Sequence, residues 1–126
     1  LVVTQALLIV FSWNNRKTAG VVLLGLGLLL NFAVITANGG LMPISPEIVG
    51  KYLPEGEWQV GSRMGTSKDI ILAVEVTRLY WLSDRFTLPD WIPYRVAFSI
   101  GDVFMSMGAF WLLWSLGAPE KHPKRR

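Results

Sequence analysis

Three long apolar runs, separated by polar segments, organise the chain. The first, LVVTQALLIVFSW, reaches Trp13 before the first charge at Arg16. As a helix it measures ~20 Å, short of the ~30 Å hydrocarbon core, so residues 1–13 read as the end of a span whose start is missing. The second, AGVVLLGLGLLLNFAVITA, runs from Ala19 to Ala37 without a charge. Its helical length of ~28 Å matches one hydrocarbon thickness. Arg16 and Lys17 bound it on one side and Asn38-Gly39-Gly40 on the other, where glycine ends a helix by accepting left-handed backbone angles. The third run, within 93–117, contains Arg95 and Asp102 and then stays uncharged from Val103 to Gly117.

Between the second and third runs, residues 38–92 mix Gly, Pro and charge. Pro43 and Pro46 oppose a helix restart, while Ser45-Pro46-Glu47 has the form of a helix start, with Ser45 as cap. The stretch Asp69–Asp84 (DIILAVEVTRLYWLSD) is more apolar. It reads as a short helix, or a strand-like stretch leading into one, lying on a membrane surface, because its internal charges oppose spanning. The expected class is therefore an all-α membrane protein with a long extracytoplasmic loop carrying short helical or interfacial segments.

Composition agrees. Hydrophobic residues make up 52% of the chain and charged residues 17%, against about 25% in soluble domains. Six tryptophans suit membrane interfaces; Trp91 and Tyr94 lie near one end of the third run, Trp111 and Trp114 near the other. The net charge of +3 is unevenly placed. Arg16 and Lys17 precede the second run, and Lys121, Lys124, Arg125 and Arg126 follow the third, whereas 38–92 holds five basic and seven acidic residues. The positive-inside rule puts turn 14–18 and tail 118–126 in the cytoplasm and loop 38–92 outside a bacterial inner membrane. A basic tail directly after a span points to acidic lipid rather than nucleic acid.

The candidate chemistry is sparse. There is no cysteine, and His122 is the sole histidine. Thiolate sites, histidine clusters and imidazole ligands within a span are thereby excluded. No nucleophile-elbow, Walker, zinc-protease or dinucleotide motif is present. Asn31 inside the second run needs a hydrogen-bonding partner, read first as a neighbouring helix. Asp102 reads as half of a capping box with Ser99, and otherwise as an intramembrane acid. Gly20, Gly25, Gly27, Gly101 and Gly108 fit helix packing without forming GxxxG. Arg78, Asp84, Arg85, Asp90 and Arg95 are expected to form ion pairs that fold the loop.

The ordered set NGGLMPIS (Asn38–Ser45), TRLYWLSD (Thr77–Asp84), Leu88-Pro89 and SIGDV (Ser99–Val103) resembles an uncharacterised family of small bacterial integral membrane proteins, classed as a domain of unknown function. The resemblance covers Trp13 to Leu116. It implies additional N-terminal spans, an exported loop after NGG-x-MP-x-S, and a last span opening with S-x-GD. Members often carry a basic residue after NGG, where this chain has Leu41. No chemistry comes with the resemblance. The structural candidates are thus Asn31, Asn38, Gly39, Gly40, Pro43, Ser45, Arg78, Asp84, Ser99, Gly101 and Asp102. The expected role is a non-catalytic accessory subunit packed among other integral membrane subunits and lipids, with a respiratory or photosynthetic complex as a conceivable host. No cofactor is identifiable, and contact with pigment or lipid has no ligand residue behind it. The alternative is a small transporter using Asn31 and Asp102.

Overall fold

The computed structural model describes residues 1–117, so the basic tail lies outside the described residues. About half of the chain is helical. Helix α1 spans Val2–Asn14 and α2 spans Ala19–Ala37. After α2 come strand β1 (Met42–Ile44), one helical turn α3 (Pro46–Val49), and strand β2 (Asp69–Ile71). Two 3-10 turns follow at Val74–Val76 and Tyr80–Leu82. Strands β3 (Phe86–Thr87) and β4 (Ala97–Phe98) then lead into α4 (Ile100–Gly117). Helices α2 and α4 are each long and apolar enough to cross a membrane.

The intervening segment departs from the all-α expectation. β1 and β2 pair in parallel, Met42 opposite Asp69 and Ile44 opposite Ile71. A further parallel bridge joins Ile44 to Asp84, so β1 lies between two neighbours. β3 and β4 pair antiparallel. These pairings hold a small core of Ile44, Ile48, Val49 and Ile71, against which Tyr52, Leu53, Trp58, Met64 and Ala97 pack. Burying four aliphatic side chains contributes about 1.5–3 kcal/mol each before the entropy of ordering the loop is counted. Residues 38–98 are therefore a folded cap. The third run also enters its helix later than residue 93. Pro93 cannot donate a backbone hydrogen bond, and Ala97–Phe98 are engaged with β3, so helix begins only at Ile100.

The end of α2 is specified locally. Gly39 and Gly40 take φ of +81° and +95°. Gly40 N–H donates to Ile35 O at 2.8 Å and Gly39 N–H to Thr36 O at 3.4 Å, a Schellman closure. The chain then turns directly into β1. Met42 packs with Val34 and Ile35, joined by Val2 and Leu82, and fastens the cap to the helices.

A polar clasp on a glycine seam

Helix α2 is the central helix, packing on α1 and on α4. The α2–α4 contact is a glycine seam. Gly20 and Gly27 are seven residues apart on α2, and Gly101 and Gly108 seven apart on α4. A Cβ on Gly20 would lie 2.7 Å from Leu112 N and 2.9 Å from Gly108 O. A Cβ on Gly27 would collide with Gly101 O, and one on Gly108 with Leu24 N. The backbones touch at these levels, which only small residues permit. Gly25 serves the other face, where an added Cβ would sit 2.9 Å from Ser12 Cβ of α1. No GxxxG is needed: a seven-residue repeat keeps one seam facing its partner.

At the end of the seam nearest the cap lies a polar clasp. Asn31 is 2% exposed. Its Nδ2 donates to Asp102 Oδ1 at 2.8 Å, and its Oδ1 accepts from Ser99 Oγ at 2.8 Å. Ser99 N–H donates to Asp102 Oδ2 at 2.9 Å, while Asp102 N–H donates to Ser99 Oγ at 3.1 Å. The last two bonds are the reciprocal pair of a capping box at the start of α4. Cap and interhelical contact are thus one network, in which a carboxylate also sits at the positive end of its helix. Gly101 is what admits Asn31, since a Cβ there would overlap Asn31 Oδ1.

Asn38 makes a second tie. Its Nδ2 donates to Arg78 O and Val34 O, both at 2.8 Å, and its Oδ1 accepts from Arg78 N–H at 3.0 Å. The amide imitates a strand neighbour for the Arg78 peptide. Ser45 caps α3, accepting from Ile48 N–H at 3.4 Å, and Pro43 O accepts from Asp84 N–H at 3.1 Å.

The expected ion pairs are replaced by other contacts. Lys68–Asp84, at 3.2 Å, is the one salt bridge among the described residues. Arg78 is held through its backbone, Arg95 donates to Tyr52 O at 3.4 Å, and Arg85 lies on aromatic rings. Asp84 is 1% exposed, and its Oδ1 has no partner among the described residues. Burial pushes its carboxyl up to about 7; the pull of Lys68 lowers it, while Asp69 and Asp102 add to the rise. For Lys68, burial pulls downward, yet Asp84, Asp102 and Asp69 outweigh it and hold the ammonium above its ordinary range. Desolvation dominates at Asp84, because its side chain is shut in while Lys68 keeps 39% exposure.

Asn31, Ser99, Gly101 and Asp102 therefore come together, as do Asn38, Gly39, Gly40 and Arg78 at the end of α2. Asp90 stands apart, lining a surface cleft with Lys51, Tyr52 and Arg95. Lys68 is not legible as a partner from the sequence, where a lone lysine among loop charges carries no signal. No group of three or more His, Cys, Asp or Glu among the described residues is placed to hold a metal.

These features define a capped helical protein with two helices able to cross a membrane. The chain belongs to the DUF5317 family, a family of unknown function, which matches residues 1–114. No curated protein and no solved structure matches it.

Proposed function

We propose that the chain is a multi-pass protein of the bacterial cytoplasmic membrane and acts as a non-catalytic accessory or structural subunit of a larger membrane complex. In this reading α2 and α4 cross the bilayer as an antiparallel pair, the Arg16 turn faces the cytoplasm, and the folded cap faces outward. The observation that carries it is that the polar clasp is turned inward, between α2 and α4, rather than outward. Asn31, Ser99 and Asp102 bond one another across the helix contact. Along their lengths, α4 presents Val103, Met107, Phe110, Trp111 and Trp114 outward, and α1 presents Leu7, Val10 and Phe11. Such faces suit lipid and neighbouring helices. Asn31 and Asp102 are less suited to a solute pathway, since both polar atoms of the Asn31 amide are already bonded.

The test is extraction from native membranes in a mild detergent, followed by cross-linking from a photoreactive residue at Trp111. The proposal expects a stoichiometric integral membrane partner, with cross-links from Trp111 and none from the cap residue Thr66. A monodisperse lone chain, or cross-links to lipid alone, would contradict it.

A further inference from the structure

Beside the clasp, Arg85 is held in a way that ordinary loop folding does not require. Its guanidinium carbon lies 4.4 Å from the Trp81 ring centre, 5.0 Å from that of Tyr80, and 5.5 Å from that of Phe86. Among the described residues it has no carboxylate partner. Asp84, its neighbour in sequence, turns inward to Lys68, so the pair that sequence proximity would make is absent. Held among rings, and making no hydrogen bond among the described residues, the guanidinium keeps its N–H groups free, and their fork matches two oxygens of a phosphate.

The position of this cage indicates what it meets. Phe86 stacks on Phe98, with centres 5.8 Å apart, and Phe98 stands two residues before α4. The Tyr80–Leu82 turn packs on both α2 and α4. The cage therefore sits level with the cap-side ends of the two long helices. The residues around it are apolar and outward: Val76 is 65% exposed, Leu79 50% and Trp81 70%. Leu79 takes φ of +53°, a conformation that leucine adopts at a cost, and still points outward. Arg78 adds an exposed cation to the half-buried Arg85, and Glu75 is the exposed acid beside it. An apolar rim with a Trp and unpaired arginines matches the headgroup layer of a bilayer, where acyl chains end and phosphates begin.

We propose that Arg85, seated on Tyr80, Trp81 and Phe86, binds the phosphodiester of an anionic glycerophospholipid in the outer leaflet, with Leu79 and Trp81 inserted beside it. This rests on the membrane placement proposed above. The experiment uses the full chain, purified in mild detergent after its resistance to carbonate extraction is established. It is titrated with phosphatidylglycerol or phosphatidylcholine and read by native mass spectrometry. Wild type should retain one phosphatidylglycerol in preference to phosphatidylcholine. Arg85→Gln and Arg85→Lys should each lower retention about tenfold, the value of one charge-assisted bidentate contact. Arg95→Gln should leave it unchanged, and inorganic phosphate should not compete. Full retention in a folded Arg85→Gln protein would overturn the inference while leaving the spans intact. Displacement by inorganic phosphate would overturn the lipid assignment. Release of the chain by carbonate would remove the membrane placement and this inference with it.

Discussion

Replacing Gly101 by alanine should open the helix pair at the clasp. The added Cβ overlaps Asn31 Oδ1 and lies 2.8 Å from Gly27 O. Forcing a methyl into such a contact costs about 1–3 kcal/mol. Pushing Asn31 aside also breaks its bonds to Asp102 and Ser99, each worth about 0.6–1.7 kcal/mol between membrane helices. Ser99 recovers part of this, because Asp102 Oδ2 is already 2.9 Å from its hydroxyl. The sum is about 2–4 kcal/mol for Gly101→Ala and about 1–2 for Asn31→Ala. The double variant is the informative one. Once the amide is gone, half of the collision is gone, and the Gly27 carbonyl remains. The double variant should therefore be less destabilised than the two singles added, by about 1 kcal/mol or more. Tryptophan-fluorescence unfolding in detergent reads all four species, with Gly117→Ala as control, since nothing lies within 4 Å of a Cβ there. Strict additivity, or a neutral Gly101→Ala, would refute the contact.

Two further outcomes follow from the cap and one from the α1–α2 contact. Asp84 binds its proton more tightly in the fold than in the unfolded chain, so between about pH 4 and about pH 7 the folded state holds more protons and stability falls as pH rises. The fall is at most about 4 kcal/mol, and Asp84→Asn should flatten it in a pH series of melting temperatures; an unchanged slope would show that Asp84 is not the group. Asn38→Ala should cost about 1–2 kcal/mol and speed amide hydrogen exchange at 77–83 more than at β1, because the Arg78 peptide loses both of its partners. Gly25→Leu should separate α1 from α2 and leave the α2–α4 clasp intact, seen as cross-linking lost between Ser12→Cys and Val22→Cys but kept between engineered pairs across α2 and α4.

Much of this architecture is readable from the residues because its causes are local. An uncharged 19-residue run followed by Asn-Gly-Gly fixes α2 and its end. Ser99 and Asp102, three apart before an apolar run, carry the capping box in their spacing. What joins distant parts is not local. Asn31 and its partners are about 70 residues apart, so the sequence shows that the amide needs a partner without naming it. The sevenfold glycine spacing is visible in each helix, yet it becomes a seam only when the two are set antiparallel. Strands of two or three residues are too short for an alternating pattern, and β1 meets β2 across a long excursion, which is why residues 38–92 read as helical or interfacial loop. From the sequence, Arg85 reads only as one of several loop charges able to form ion pairs. Inward burial of one and outward stacking of the other is a tertiary outcome.

The proposed role requires that α2 and α4 cross a bilayer with the cap outside. The chain contains no cysteine, so single cysteines at Thr66 and Lys17, both exposed, can be labelled without background. A membrane-impermeant maleimide applied to intact cells, stripped of any outer barrier, should modify Thr66→Cys at once and Lys17→Cys only after permeabilisation. Equal labelling of both from one side would contradict the placement, and with it the membrane function proposed for the clasp and the cap.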